Sequence, residues 1–148
     1  MGRRNLEKLL LDTIISEGYE SVSLVACNER TELVYMLEGI GIDVDVVDYD
    51  PKFPNPRDVI YDNVKFNELV VDFNAEKHYP IGKVYTGDMI VIGDNDQHNG
   101  DCNPIDNVDV LIEQNNITNV DFSYNIDKWF VVKGNNADWI CKYAQVVL

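Results

Sequence analysis

The chain has little of what metal centres and oxidative folding require. Its 148 residues include three cysteines and two histidines. Cys27, Cys102 and Cys141 stand far apart, are odd in number and form no CxxC pair. Neither a zinc site nor a disulfide framework fits that spacing, and reduced, mostly buried thiols are expected. Basic residues are scarce as well: 12 Lys and Arg face 26 Asp and Glu, for a net charge of −14. Such a field repels phosphate backbones and disfavours direct nucleic-acid binding. Solubility accounts for the charge. The sharper alternative is a decoy that mimics nucleic acid in a partner's basic groove, but a decoy would space its carboxylates regularly on an exposed face. Here many acids fall at loop positions or beside apolar strand residues. No apolar run approaches the roughly 18 to 20 residues that span a bilayer. Met1 to Asn5 carries two arginines, yet the amphipathic stretch that follows, Leu6 to Asp12, is no secretory leader, and Leu6 breaks the myristoylation pattern. A cytoplasmic protein without membrane contact is expected. No G-x-S-x-G nucleophile turn, internal repeat or low-complexity tract occurs.

What is present is enough for one domain with a real core, since 45% of the residues are hydrophobic. Residues 3–17 place Leu6, Leu9, Leu10, Thr13, Ile14 and Ile15 at helical spacing, and Gly18 supplies a C-cap. Ser21 to Ala26 is short, β-branched and apolar, a first strand. Glu29 to Glu38 predicts a second helix with Leu33, Val34, Met36 and Leu37 inward, stopped by Gly39 and Gly41. Asp43 to Asp48 predicts a second strand, and strand, helix and strand together form a parallel βαβ unit. Pro51, Pro54 and Pro56 mark a surface loop. Arg57 to Tyr61 reads as a short third strand, Leu69 to Phe73 as a fourth and Asp88 to Gly93 as a fifth. Any helix between the last two must fit into Glu76 to Tyr85, where Pro80 and Gly82 interrupt it. Asp94 to Pro104 is a polar loop, Asp106 to Asn115 a capped helix with Val108, Leu111 and Ile112 inward. Val120 to Tyr124 and Trp129 to Val132 form an antiparallel hairpin around Asp127-Lys128. Trp139 to Val147 fits strand or helix. The expected organisation is a single Rossmann-like α/β domain over 1–148: N-terminal helix 3–17, sheet core 20–134 and C-terminal segment 138–148. Its sheet is mostly parallel and ends in an antiparallel hairpin.

That order of elements resembles the three-layer Rossmann-like methyltransferase fold, a seven-stranded sheet whose final strand runs against the others. The centre of the chain, over residues 20 to 134, is similar to small class I methyltransferase-like proteins often encoded by tailed phages. In that group the fourth strand ends in a pattern like Asn-x-x-Cys-Glu-His-Met. A Gly then leads into the fifth strand, and a loop rich in Asn and His and an Asn-Cys pair follow. The matching residues here are Asp72-Phe73-Asn74-Ala75-Glu76-Lys77-His78-Tyr79-Pro80, Gly87-Asp88-Met89-Ile90-Val91, Asn95-Asp96-Gln97-His98 and, in swapped order, Cys102-Asn103. Lys77 separates the usually adjacent Glu and His, and Ala26-Cys27-Asn28-Glu29-Arg30 stands where the family has a glycine-rich turn. For a phage-encoded protein the compartment is the host cytoplasm.

The resemblance implies S-adenosylmethionine as cofactor. Ala26, Cys27, Asn28, Asp48, Tyr49, Asp50 and Asn74 would bind it. Asp48 or Asp50 stands about 20 residues past the first turn, where such sites hold ribose hydroxyls; either also serves as a cap for the Pro51 turn. Glu76 suits an ammonium or sulfonium cation, or caps a short helix. If two strand ends converge, His78 and His98 would face one cleft and could serve as general base or metal ligands; otherwise they are solvated loop histidines. Asn95 and Asn103 would line the acceptor side. No metal is expected: the Asp94-Asn95-Asp96 run lacks the terminal Glu of a calcium loop. Trp129, Phe130, Trp139, Tyr124 and Tyr143 read as hairpin packing. The acceptor is unspecified, and so small a domain leaves room for a second subunit to complete the pocket. The alternative is a non-catalytic acidic Rossmann-like protein that works by binding another protein.

Overall fold

The computed structural model describes residues 2–25, 32–47, 66–73, 85, 87–94 and 107–136. Nine elements follow in order: α1 (Gly2–Glu17), β1 (Ser21–Val25), α2 (Glu32–Gly39), β2 (Asp43–Val47), β3 (Leu69–Asp72), β4 (Asp88–Asp94), α3 (Val108–Gln114), β5 (Asn119–Ile126) and β6 (Trp129–Asn135). The expected strand at 57–61, the expected helix at 76–84 and the segment at 138–148 lie outside the described residues.

The six strands make one mixed sheet in the order β2-β1-β3-β4-β6-β5. β1 pairs with β2 and β3 in parallel, and β3 with β4 in parallel. β6 enters between β4 and β5 and runs against both, so it alone opposes the other five. β1 and β3 are buried on both faces, as strands of a covered parallel sheet must be; β3 accordingly opens on the apolar run Leu69-Val70-Val71, while β1 buries Ser23 among its apolar residues.

Two apolar layers enclose the sheet. On one face Leu6, Leu10 and Ile14 of α1 and Leu33, Val34 and Leu37 of α2 pack on Val22, Leu24, Leu69, Val71, Ile90, Ile92 and Val131. On the other, Leu111 of α3 and Ile117 cover Val25, Val70, Met89, Val91 and Val132. Each fully buried aliphatic side chain contributes about 1.5–3 kcal/mol relative to exposure.

The helix ends follow local chemistry. Gly18 takes φ +76° after α1, and the Tyr19 N–H reaches back to the Ile14 carbonyl at 3.3 Å, closing a Schellman turn. For α2, Gly39 is still helical and the stop is Gly41, at φ +90°. Asn107 caps α3 by accepting the Val110 N–H at 3.1 Å. Two side chains expected inside point outward: Ile15 is 52% exposed and Met36 49%. The inward stripe of α1 is Leu6, Leu10, Thr13 and Ile14, and that of α2 is Leu33, Val34 and Leu37. Positions 15 and 36 fall to the side of those stripes at 3.6 residues per turn.

Candidate functional site at the carboxyl edge of the sheet

The four parallel strands leave the sheet at one edge, at Val25, Val47, Asp72 and Asp94. Val25 stands in register with both Val47 and Asp72, and Asp72 with Val91. The chain continues from β1 to a neighbour on one side and later places β3 on the other, so the direction of winding reverses between β1 and β3. Open α/β sheets form a ligand crevice at such a reversal, just outside the carboxyl ends, because the following segments diverge to opposite faces. The Phe73 N–H donates to the Val25 carbonyl at 2.9 Å, holding the two exits together one residue beyond β3.

Asp72 is the described side chain of most consequence there. It is 1% exposed and ends an otherwise apolar strand. It lies on the sheet face of Val70, toward the α3 layer, because side chains two apart share a face. In the sequence it stands within the strand motif and outside the candidate site residues. The usable signal was a carboxylate closing the run Leu69-Val70-Val71, since an acid is rarely buried without a polar role.

One wall of the edge is well defined. β4 runs on past the partner of Asp72 through Ile92, Gly93 and Asp94, which pair with Val131, Phe130 and Trp129. Trp129 packs on the α1/α2 layer and Phe130 on the α3 layer. Both therefore brace the hairpin, as expected for packing aromatics, while Tyr124 stays half exposed against Phe122, with ring centroids 5.1 Å apart. The Asn5 amide donates to Asp127 at 3.3 Å, which brings the start of α1 to the same edge.

Ala26, Cys27, Asn28, Asp48, Tyr49, Asp50, Asn74, Glu76, His78, Asn95, His98 and Asn103 all lie outside the described residues. So do Cys102, Trp139, Cys141 and Tyr143.

The opposite edge is polar but occupied by its own hydrogen bonds. The Tyr19 hydroxyl donates to Asp88 at 2.7 Å and the Asn135 amide to the same carboxylate at 3.3 Å. Glu68 accepts from the backbone N–H groups of Glu20 and Ser21, at 2.8 and 3.3 Å. The Tyr85 hydroxyl donates to the Glu68 carbonyl at 3.2 Å. Burial, and then the Asp88 carboxylate, push Tyr19 up to about 12, and burial does the same to Tyr85, also with help from Asp88. Burial alone would lower Lys133; its hydrogen bonds to Asp121 and Tyr19 outweigh that and raise it. Groups locked in mutual contacts this way hold strands together and leave little capacity for a ligand.

Among the described residues, no group of three or more His, Cys, Asp or Glu side chains is arranged to hold a metal ion, and no helix is long and apolar enough to cross a membrane. No protein-family model matches the chain, and its sequence matches no curated protein.

Proposed function

We propose that the chain is an S-adenosylmethionine-dependent methyltransferase of class I, Rossmann-like architecture, or a diverged relative that keeps the cofactor site. One observation carries the reading: four parallel strands end side by side, the winding reverses between β1 and β3, and among the described strands β6 alone runs against the rest. The candidate residues follow those four exits in the sequence. Ala26, Cys27 and Asn28 come after β1; Asp48, Tyr49 and Asp50 after β2; Asn74, Glu76 and His78 after β3; Asn95, His98 and Asn103 after β4.

The donor set suits the cofactor. Asp48 or Asp50 would accept from ribose hydroxyls, and Asn74 and Glu76 would meet the cationic amino-acid end. Asp72, a buried acid, closes β3 at the same edge. The cofactor, when bound, supplies an electrophilic methyl group on a sulfonium. The protein's part is to align the acceptor for in-line attack and to exclude water. Glu76, His78 and His98 are the candidates to take the acceptor's proton.

A second reading, a non-catalytic acidic protein acting through protein–protein contacts, is favoured by a different observation. No glycine stands between Val25 and Glu32, where a nucleotide-binding turn lets backbone approach its ligand closely. Thermal melting with S-adenosylmethionine or its demethylated product separates the two. Ligand at a hundredfold its dissociation constant adds about 2.7 kcal/mol, which raises Tm by roughly 5–10 °C in a domain of this size. Asp48→Ala with Asp50→Ala should abolish the shift and leave the fold intact. No shift at millimolar ligand would favour the second reading over the first.

A further inference from the structure

The outer face of the α1/α2 layer carries features that the core does not explain. Four of the six large hydrophobic side chains exposed among the described residues belong to these helices or adjoin them: Ile15 of α1, Tyr35 and Met36 of α2, and Ile40 just beyond it, at 52, 61, 49 and 56%. A cleft of about 210 Å³ opens between the helices, lined by Arg4, Lys8 and Leu11 of α1 and by Glu32 and Met36 of α2. Arg4, Lys8, Leu11 and Ile15 recur at i, i+4, i+7 and i+11, so they form one stripe along α1, basic at its start and apolar beyond.

The charges of α1 also run against the helix's own dipole. Its first turn holds Arg3 and Arg4 with no acid, and its last turn holds Glu17 with no base. A helix N-terminus favours acids and a C-terminus favours bases, so this polarity works against α1 as an isolated element. The bases Arg3, Arg4 and Lys8 are balanced by Glu7, Asp12 and Glu17, which makes α1 neutral in a chain of net charge −14.

We propose that this face joins two copies of the chain about a twofold axis, with α1 of one copy antiparallel to α1 of the other. Antiparallel packing puts the basic half of each helix beside the acidic half of its counterpart and opposes the two dipoles. Centred on the middle of α1, it sets Lys8 opposite Asp12 of the second copy, twice by symmetry. Leu11 then meets Leu11 close to the axis with Met36 beside it, and Ile15 lies further out, opposite the start of the second copy's helix. Such a patch is self-complementary, as an isologous interface must be. Local neutrality matters because two bodies of charge −14 repel wherever acids dominate both surfaces.

Sedimentation equilibrium from micromolar to sub-millimolar protein tests this. The wild type should approach twice the chain mass as concentration rises. Lys8→Asp and Asp12→Lys should each weaken association about tenfold, since two attractive pairs become two repulsive ones. The double variant K8D/D12K should restore it. Met36→Glu should give a monomer. Melting temperatures keep folding separate from association, because Lys8→Asp also sets two acids at i and i+4 within α1 and weakens the helix slightly. A wild type that stays monomeric throughout overturns the proposal. So does a dimer indifferent to Met36→Glu and the charge exchange, or one broken instead by Tyr124→Lys on the outer strand β5.

Discussion

Replacing Asp121 with Ala should destabilise the protein more than replacing Lys133 with Met, although the two residues form one ion pair. The Lys133 ammonium lies 2.5 Å from the Asp121 carboxylate, but the Lys side chain is 5% exposed and the Asp 53%. Lys133 stands in register between Ile90 of β4 and Phe122 of β5, and its ammonium sits 5.6 Å from the centre of the Tyr19 ring. Removing the carboxylate leaves a buried cation with the face and hydroxyl of Tyr19 as its remaining described partners. Breaking a fully buried pair this way costs about 3–5 kcal/mol. Water that reaches the site past the half-exposed Asp121 position reduces this to about 1–3 kcal/mol. Lys133→Met keeps the aliphatic stem in place and removes a charge that burial penalises, leaving Asp121 in solvent. That change should stay within about 1 kcal/mol of wild type. The double variant should resemble Lys133→Met alone, because Asp121 has no buried partner once the cation is gone. Urea unfolding of the four proteins closes the cycle. Equal losses for the two single variants, or a larger loss for Lys133→Met, would refute the assignment of Lys133 as a buried cation held by one carboxylate.

Two further outcomes follow from the same edge of the sheet. Gly134→Ala would drive a methyl group into the Asn119 carbonyl oxygen and to 2.6 Å from Ile117 Cγ2. Because the obstacle is partly backbone, the cost should be about 1–3 kcal/mol, read as a lower urea midpoint. Tyr19 and Tyr85 are both raised from 10.0 to about 12, so between those values the folded state binds protons more tightly than the unfolded one. Stability should therefore be intact below pH 10 and fall as pH rises toward 12. Tyrosinate absorbance should show Tyr19 and Tyr85 ionising late in the folded protein and normally in urea.

The fold was legible where burial and periodicity agree. The spacing Leu6, Leu10, Ile14 placed α1, and the β-branched runs at 21, 43, 69 and 88 placed four strands whose observed starts match. The hairpin was legible because Asp127 and Lys128 separate the alternating Val120 to Tyr124 from the apolar run Trp129 to Val132, and Asp127 takes the left-handed φ of +54° that Asp tolerates. Two placements failed for one reason: Ile15 and Met36 are apolar and adjacent to core positions, and composition cannot distinguish a core stripe from an apolar stripe left on the surface. The strand order was not legible, since pairing of β1 with β3 and insertion of β6 beside β4 depend on contacts remote in sequence. At the candidate site, the strand exits were readable but Asp72 was not singled out, because a carboxylate inside an apolar strand run looks like a boundary marker until its burial is known.

The central claim is that a nucleoside cofactor binds where β1 and β3 end. A crystal grown with S-adenosylhomocysteine addresses it directly: the account predicts density for the ligand at the carboxyl edge beyond Val25 and Asp72, with its ribose on Asp48 or Asp50. Ligand bound at any other surface, or that edge filled by the protein's own side chains at saturating ligand, would contradict it.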